Sequence, residues 1–320
     1  MLLMKKKLFN QISVIGLGLI GSSFSLAIKK NKIANKVVGY SRSSSTRKAA
    51  KKLNLVDTVA NSLVKSVKGS DLIIICTPLS TYPKIINEMT PHLEKNSIVT
   101  DVGSAKLTTI NEVSGLFSKF IQFIPAHPIA GTEQSGPYAG FPELFIDRWC
   151  ILTPLKNNKP SSVNKIKTLW KSLGSKVEIM SPERHDRVMA ITSHLPHLIA
   201  YNIVSTAADL ETVTKQEIIK YSASGFRDFT RIASSDPVMW RDIFLKNKDA
   251  VLEMIGRFSE DLSALQKAVR WEDSKTLHKI FSRTRKVREK IISAGQDTDA
   301  VDFGRSNTRK KISKIKNRKK

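Results

Sequence analysis

The sequence predicts a two-domain protein, an α/β domain built on a parallel sheet followed by an all-helical domain. Up to about Met180, short β-branched runs alternate with helical patterns, which is typical of a parallel α/β sheet. After Ser181 the pattern changes to long amphipathic stretches without strand patterns. The chain has 320 residues, and single hydrophobic cores stop growing at about 250–300 residues. We therefore expect a sheet domain, a helical domain and a basic tail at residues 1–180, 181–294 and 295–320.

Seven short runs are candidate strands. Each is apolar along its length, as expected for strands that helices cover on both faces. They are residues 12–15, 36–40, 72–76, 97–102, 120–126, 149–152 and 176–180.

The helical domain has a recognisable start. Ser181, Pro182 and Glu183 have the residue types of a helix N-cap, a proline at the first helical position and an acid in the first turn. The helical stretches that follow are residues 184–213, 215–221, 236–269 and 272–293.

The net charge of +25 raises nucleic acid as a partner. Nine basic residues and no acidic one lie between Arg305 and Lys320, a block typical of a solvated, disordered tail. The remaining lysines form no stripe interleaved with aromatic residues, so we do not expect nucleic-acid binding as the main function.

No apolar run approaches the roughly 20 residues that cross a bilayer, and the N-terminus lacks the features of a signal peptide. The two cysteines, Cys76 and Cys150, match no metal or redox spacing, and we expect Cys76 to be a buried free thiol. These features predict a reduced, cytoplasmic setting.

A glycine motif follows the first candidate strand. Gly16, Gly18 and Gly21 form the pattern G-x-G-x-x-G between a strand and a helix, the context in which the pattern indicates a Rossmann-type dinucleotide site. Gly16 is expected to allow the tight turn, Gly18 the close approach of a pyrophosphate, and Gly21 the packing of helix on strand. The helix N-terminus then faces the anion.

The end of the second strand bears on the choice of cofactor. An acid there would bind the ribose of NAD, but Ser41 occupies the position and Arg42 follows it, with Arg47 nearby. A guanidinium can pair with the 2′-phosphate of NADP, so we favour NADP while NAD stays open. The expected cofactor residues are Gly16, Gly18, Leu19, Ile20, Gly21, Ser41, Arg42, Thr77 and Pro78.

Two further motifs follow strands at the edge where α/β sheets bind ligands. One is Asp101-Val-Gly-Ser-Ala-Lys106, and the other begins at His127 and runs to Glu133. We expect His127 to lie in a constrained turn between its strand and Pro128 and to act as a base. Ser104 at the neighbouring strand end can hydrogen-bond the imidazole and fix its tautomer.

The helical domain contributes candidate substrate residues. His194, His197 and Tyr201 share one helical face, where they are either a core stripe or part of a site. Zinc is a weak alternative for His185, His194 and His197, because no well-spaced fourth ligand accompanies them, and we expect no metal. Arg231 lies among apolar residues and needs a carboxylate partner from the protein or from a substrate.

Together these motifs resemble those of the prephenate and arogenate (cyclohexadienyl) dehydrogenases, in order and from about Lys7 to Ser293. The resemblance implies that His127 removes the proton of the substrate ring hydroxyl and that Ser104 orients it. It further implies substrate-side roles for His197, Arg231, Glu133 and Trp240. Arg231 would hold a carboxylate, Glu133 would belong to a network that gates the pocket, and Trp240 would shape access.

The resemblance also implies the reaction and the assembly. The substrate would be prephenate or arogenate, which is oxidised and decarboxylated in tyrosine biosynthesis, and the helical domain would form a homodimer. Within the family, arogenate or broad cyclohexadienyl specificity is the alternative. Outside it, a β-hydroxyacid-type dehydrogenase would need a catalytic lysine in the helical domain. A nucleotide-sensing or RNA-binding protein would leave His127 and Arg231 unexplained.

Overall fold

The computed structural model describes residues 7–214 and 220–293. The basic tail and part of the predicted helical stretch 215–221 lie outside the described residues. The chain divides into two compact units, one reaching to Gly256 and the other beginning at Arg257. The helices that follow residue 180 belong largely to the first unit, so the domain limits near residue 180 stay a prediction.

The described residues contain nine strands: β1 (Phe9–Ile15), β2 (Ala34–Tyr40), β3 (Thr58–Val59), β4 (Leu72–Ile75), β5 (Ile98–Asp101), β6 (Gln122–Ile124), β7 (Ala126–Pro128), β8 (Trp149–Leu152) and β9 (Lys176–Ile179). Six of them form a parallel sheet in the order β3-β2-β1-β4-β5-β6. This is the order of doubly wound dinucleotide-binding folds, in which the order reverses between β1 and β4. The predicted fold class is therefore confirmed.

Helices cover both faces of this sheet. The described helices are α1 (Leu19–Lys30), α2 (Ser44–Lys52), α3 (Leu63–Val67), α4 (Tyr82–Met89), α5 (Leu107–Val113), α6 (Pro160–Ser172), α7 (Pro182–Met189), α8 (Leu195–Thr214), α9 (Ser224–Thr230), α10 (Pro237–Lys246), α11 (Lys248–Arg270) and α12 (Ser274–Ser293). Side chains of α1 and α6 pack in one core with Val14 of β1, whereas α3, α4 and α5 pack in a second core with Ile15. Successive residues of a strand point to opposite faces, so this division follows from the pleat.

A second, three-stranded sheet departs from the prediction of one parallel sheet. The expected strand at 120–126 is broken between Ile124 and Ala126, and β7 pairs antiparallel with β8, whose other neighbour is β9. The four residues of β9 are half-buried or exposed, so the expectation that helices cover it on both faces was wrong. The short strand β3 was not predicted, since two residues form no recognisable pattern.

The helical part begins as predicted. Ser181 is the N-cap of α7, and its hydroxyl oxygen accepts a hydrogen bond from the backbone N–H of Arg184 at 3.2 Å. One π-helical turn, Ala190–His194, joins α7 to α8. The predicted continuous stretch 236–269 is interrupted at Asn247, where α10 ends. Within the described residues, no helix is long and apolar enough to span a membrane.

Candidate active site

The loop after β1 has the geometry that the glycine pattern predicts. Gly16 has φ +97°, and a Cβ there would lie 2.5 Å from the carbonyl oxygen of Cys76. A Cβ on Gly21 would lie 1.9 Å from the carbonyl oxygen of Gly16, so only glycine permits this approach of helix to loop. A Cβ on Gly18 would meet nothing within 4 Å, which leaves its backbone accessible to a ligand.

The same loop fits a dinucleotide pyrophosphate. Gly18 is the N-cap of α1, and no side chain caps the first N–H groups of this 12-residue helix. Leu19 and Ile20 occupy its first turn and are half-buried. Uncapped N–H groups and the helix dipole favour an anion at this end. The predicted residues Thr77 and Pro78 follow β4, on the other side of the point where strand order reverses.

The loop after β2 is held in place by one arginine. The Nη1 of Arg47 donates hydrogen bonds to the carbonyl oxygens of Ser41 at 2.6 Å and Arg42 at 2.8 Å. Ser43 is the N-cap of α2. Arg42 is exposed and Ser41 half-buried. Arg47 therefore fixes the backbone of the loop, while the guanidinium of Arg42 is on the surface.

A buried carboxylate organises the end of β5. Asp101 is fully buried and accepts hydrogen bonds from both the ammonium of Lys106, at 2.9 and 2.7 Å, and the N–H of Gly103 at 2.9 Å. The N–H of Ala126 donates to the same carboxylate at 3.0 Å. Asp101 thus connects two segments. One is the loop that contains Ser104, and the other is the start of β7, where His127 follows Ala126. Sequence analysis singled out this motif but assigned no role to Asp101 or Lys106.

His127 lies inside β7, opposite Ile151, and not in the turn that we expected. After the break that follows Ile124, the short strand β7 includes Pro128. A proline is tolerated at this position because the sheet pairing does not need the N–H that proline lacks. The imidazole is 8% exposed. Its Nδ1 lies 2.8 Å from Nε2 of His185, so the hydrogen-bond partner of Nδ1 is His185, and a contact between Ser104 and the imidazole stays a prediction.

His185 and Asp186 lie on α7 and were missed as site residues. His185 is fully buried, and its Nδ1 lies 2.8 Å from Oδ1 of Asp186. The carboxylate of Asp186 also accepts the backbone N–H groups of Lys106 and Leu107, both at 2.8 Å. The available signal was the adjacent pair His185-Asp186 one turn after a capped helix start, but the contact with His127 spans 58 residues.

Burial keeps the histidines of this region neutral. Desolvation is the largest cause that lowers the pKa of His127 well below its usual range, and the positive charge of Lys106 acts in the same direction. Burial also lowers the pKa of His185, although the hydrogen bond to Asp186 opposes it. The pKa of His194 falls to about 3 and that of His197 to about 4, again mainly through desolvation. At neutral pH, His127 is therefore an unprotonated imidazole that can accept a proton.

The predicted substrate-side histidine stacks on the predicted tryptophan. The rings of His197 and Trp240 lie 3.6 Å apart between centroids with an interplanar angle of 23°. The Nδ1 of His197 lies 2.8 Å from the carbonyl oxygen of Ser193, which fixes its proton on Nδ1 and leaves Nε2 as an acceptor. Trp240 is 6% exposed. The two rings therefore fix each other's orientation by stacking.

Arg231 finds a carboxylate within the protein. Its Nη1 donates to Oε2 of Glu133 at 3.2 Å, and both side chains are 31% exposed. The positive charge of Arg231 also contributes to the lowered pKa of His197, so the two side chains are near neighbours. The four predicted substrate-side residues therefore form two contacting pairs, Arg231 with Glu133 and His197 with Trp240.

His185 and His194, which sequence analysis weighed only as a weak zinc alternative, bind other side chains. His185 binds His127 and Asp186, while Nδ1 of His194 accepts from Nδ2 of Asn247 at 3.0 Å. Across the described ranges, no three His, Cys, Asp or Glu side chains are arranged to hold a metal ion. Cys76 and Cys150 are free thiols, and Cys150 is fully buried.

Two family models match the chain. The model of the prephenate dehydrogenase nucleotide-binding domain matches residues 24–179, and that of the prephenate dehydrogenase dimerization domain matches residues 181–283. The glycine loop precedes the first matched range, and His127 and the His185–Asp186 pair fall in different ranges.

Curated relatives and solved structures agree. The cyclohexadienyl dehydrogenase of Zymomonas mobilis is 39% identical, with 88% of this chain and 95% of that protein covered. The prephenate dehydrogenase of Bacillus subtilis is 35% identical, with 87% and 75% covered. The crystal structure of prephenate dehydrogenase from A. aeolicus, in complex with hydroxyphenyl propionate and NAD+, has a TM-score of 0.82 and 32% identity, with 88% and 98% covered. The chain therefore belongs to the prephenate dehydrogenase family.

Proposed function

We propose that this chain is a prephenate dehydrogenase, which oxidises and decarboxylates prephenate to 4-hydroxyphenylpyruvate with a nicotinamide cofactor. The observation that carries the proposal is the buried, neutral His127 hydrogen-bonded to His185. An unprotonated imidazole held in one orientation is what the removal of a hydroxyl proton requires.

The chain supplies a base and a means of orientation. His127 removes the proton of the ring hydroxyl, with Ser104 at the neighbouring loop contacting the same hydroxyl. A nicotinamide cofactor held at the loop of Gly16, Gly18 and Gly21 would supply the acceptor for the hydride of ring C4. The ketone then withdraws electrons from the bond to the ring carboxylate, CO₂ leaves, and the ring becomes aromatic. Because aromatisation is strongly favourable, the protein needs chiefly to position the ring against the base.

Arg231 is the proposed anchor for a substrate carboxylate. Its guanidinium is 31% exposed in the ion pair with Glu133, so an entering carboxylate can reach it and replace or share that partner. His197 and Trp240 form the adjoining wall of the pocket. Glu133 then belongs to the entrance, because it holds Arg231 until substrate enters.

We propose a preference for NADP over NAD. The loop after β2 has serine at position 41 and no carboxylate from residue 41 to residue 45. Arg47 holds the carbonyl oxygens of this loop, and Arg42 is exposed beside them. The exposed guanidinium can pair with a 2′-phosphate, whereas an acid at position 41 would repel it.

Breadth of specificity is the second candidate. The Zymomonas mobilis relative is named a cyclohexadienyl dehydrogenase, and a Synechocystis arogenate dehydrogenase has a TM-score of 0.73 and 28% identity, with 88% of this chain and 99% of that chain covered. Prephenate and arogenate differ only in a keto or amino group on the side chain. The alternative function is therefore a broad cyclohexadienyl dehydrogenase that is active on both prephenate and arogenate.

The assay is steady-state turnover of prephenate and of arogenate, each with NAD and with NADP. We expect the higher kcat/KM with prephenate. Comparable kcat/KM for both substrates would replace our proposal with the broad enzyme, and turnover of neither would refute it.

We also propose that the protein is a homodimer in a reduced cytoplasmic setting. The dimerization-domain match over residues 181–283 supports the dimer, as do large apolar side chains exposed on the helices. On α8 these are Ile203, Val204 and Leu210, and on α12 they are Phe281, Val287, Ile291 and Ile292. The two free thiols support the setting.

A further inference from the structure

Three candidates stand outside the proposed roles: the buried Lys106–Asp101 pair, the lysines around the edge of β3, and the chain of hydrogen bonds behind His127. The Lys106–Asp101 pair connects two loops, and the lysines near β3 belong to a solvated surface. The third joins two buried titratable groups, His185 and Asp186, to the proposed base itself. It consists of Asp186, His185 and His127, hereafter the relay.

The relay determines where each proton lies. A carboxylate only accepts hydrogen bonds, so Nδ1 of His185, 2.8 Å from Oδ1 of Asp186, must carry the proton. Burial lowers the pKa of His185, so its ring is neutral and its Nε2 is an acceptor. The nitrogen 2.8 Å away, Nδ1 of His127, must then be the donor.

It follows that Nε2 of His127 is unprotonated and free to accept. This is opposite to the tautomer that predominates in an isolated imidazole, in which Nε2 carries the proton. A histidine in that common tautomer would present an N–H to the substrate hydroxyl and could not act as a base through this nitrogen. The proton arrangement is therefore set by groups that lie on a different part of the chain.

We propose that His185 and Asp186 are positioning residues, which hold His127 in the tautomer whose Nε2 is the base. The inference rests on the proposed function, since it explains how that reaction obtains its base. When Nε2 of His127 takes the hydroxyl proton, its Nδ1 proton can move to Nε2 of His185. His185 is then an imidazolium beside the carboxylate of Asp186. When decarboxylation leaves a negative charge on the ring oxygen, Nε2 of His127 returns its proton to that oxygen, and the proton on Nε2 of His185 goes back to Nδ1 of His127.

The surroundings favour this assignment. The charged and titratable groups that face the two rings are Lys106 and Asp101 from the β5–α5 loop, His194 from the π-helical turn, and Asp186 from α7. Lys106 and Asp101 neutralise each other at 2.7 Å. The charge of Lys106 opposes a positive imidazole, whereas the carboxylate of Asp186 lies 2.8 Å from Nδ1 of His185 and stabilises the charge that develops there.

The test compares two variants at one position. His185→Gln keeps an oxygen acceptor near the place of Nε2, whereas His185→Leu removes it. With prephenate and NAD, we expect His185→Leu to lower kcat about 10²-fold while KM changes less than about threefold. His185→Gln should recover at least about tenfold of that loss. Met189→Ala, which removes a buried side chain one turn later on α7, should lower the melting temperature without this loss of kcat.

A second readout needs no turnover. Long-range proton–nitrogen correlation spectra of the full-length protein, labelled with ¹⁵N-histidine, distinguish the two tautomers. We expect protonated Nδ1 on both His127 and His185 in the wild type, and protonated Nε2 on His127 in His185→Leu. The proposal is overturned by protonated Nε2 on His127 in the wild type, by wild-type kcat in His185→Leu, or by a His185→Gln variant as slow as His185→Leu. If the wild type fails to oxidise prephenate, the proposed function alone falls, and the nitrogen shifts still decide the tautomer.

Discussion

At the scale of single residues, His127 is the side chain on which the proposed chemistry depends. Replacing it with Asn removes the base and leaves the glycine loop untouched. We expect kcat with prephenate to fall roughly 10²–10⁴-fold, the range attributed to a positioned general base. Cofactor affinity, measured by calorimetry, should be unchanged, and Ser104→Ala should lower kcat in the same direction but less. Near-normal turnover in His127→Asn would remove His127 as the base.

Arg231 is expected to act on binding and not on the chemical step. A hydrogen bond to a charged group contributes about 1.5–3 kcal/mol, so Arg231→Gln should raise KM for prephenate roughly 10- to 100-fold. Arg227→Gln is the matched control, because Arg227 is an exposed arginine on the neighbouring helix α9. Steady-state kinetics at saturating cofactor measures both. An unchanged KM in Arg231→Gln would move the anchor to Arg227 or Arg241.

At the scale of secondary-structure elements, the loop between β2 and α2 is the segment to which we assign the proposed cofactor preference. We expect kcat/KM to be about tenfold higher with NADP, equivalent to about 1.4 kcal/mol of differential binding. The double substitution Ser41→Asp and Arg42→Ile should reverse the order, because it supplies a ribose acceptor and removes the cation.

Arg47 provides the control for that experiment. It binds the backbone of the loop through the carbonyl oxygens of Ser41 and Arg42, so Arg47→Leu should weaken binding of both cofactors without reversing their order. A tenfold preference of the unmodified protein for NAD would contradict the proposed role of Arg42.

Local sequence patterns identified most elements but not their pairing. Five of the six strands of the main sheet were found because each is a short apolar run between helical patterns. The sixth, β3, was missed because it has only two residues. The division of 120–126 into two strands depends on the pairing of His127 with Ile151, a long-range contact.

For the candidate site too, local patterns indicated single residues but not the contacts between them. The motifs singled out His127 and Ser104, whose roles stay predictions. The partner of His127 lies 58 residues away on a helix, where no local pattern indicates which face meets the sheet. His185 was considered only as a metal ligand. What could not be predicted was the contact between two segments, since sequence spacing fixes neighbours on one helix but not between a helix and a strand.

At the scale of the whole molecule, acid should destabilise the protein before most carboxyl groups titrate. His127, His185 and His194 are buried and neutral, with lowered pKa values. In the unfolded chain they take up protons below about pH 6.5, whereas the folded protein does not, so their stabilising contribution is present above that pH and is lost as the pH falls. The free energy of unfolding should drop by up to about 1.4 kcal/mol per pH unit for each histidine.

Urea denaturation at pH 7, 6 and 5 measures this slope. In His194→Gln, one of the three histidines no longer contributes, so the free energy of unfolding should depend less steeply on pH. A free energy of unfolding that is constant between pH 7 and 5 would mean that these side chains are not buried as neutral groups.

The exposed apolar side chains of the helices are the surface through which we expect two copies of the chain to associate. We expect sedimentation equilibrium to give twice the chain mass of 35.7 kDa. Phe281→Asp places a charge among the exposed apolar residues of α12 and should shift the equilibrium towards monomer. His278→Asp, at an exposed polar position on the same helix, should not. A monomeric wild type would refute the proposed assembly.

The carboxylate of Asp186 has a consequence for how such a protein can be recombined. One family model ends at residue 179 and the other begins at residue 181, so the chain looks divisible at that point. Yet Asp186 accepts the N–H groups at the start of α5 on one side and the imidazole of His185 on the other. A nucleotide-binding half transplanted onto a foreign helical half would keep its glycine loop but lose the partner of His127. On the proposed role of His185 and Asp186, an active chimera built on this nucleotide-binding half therefore needs an incoming helix with its own histidine–aspartate pair at these positions.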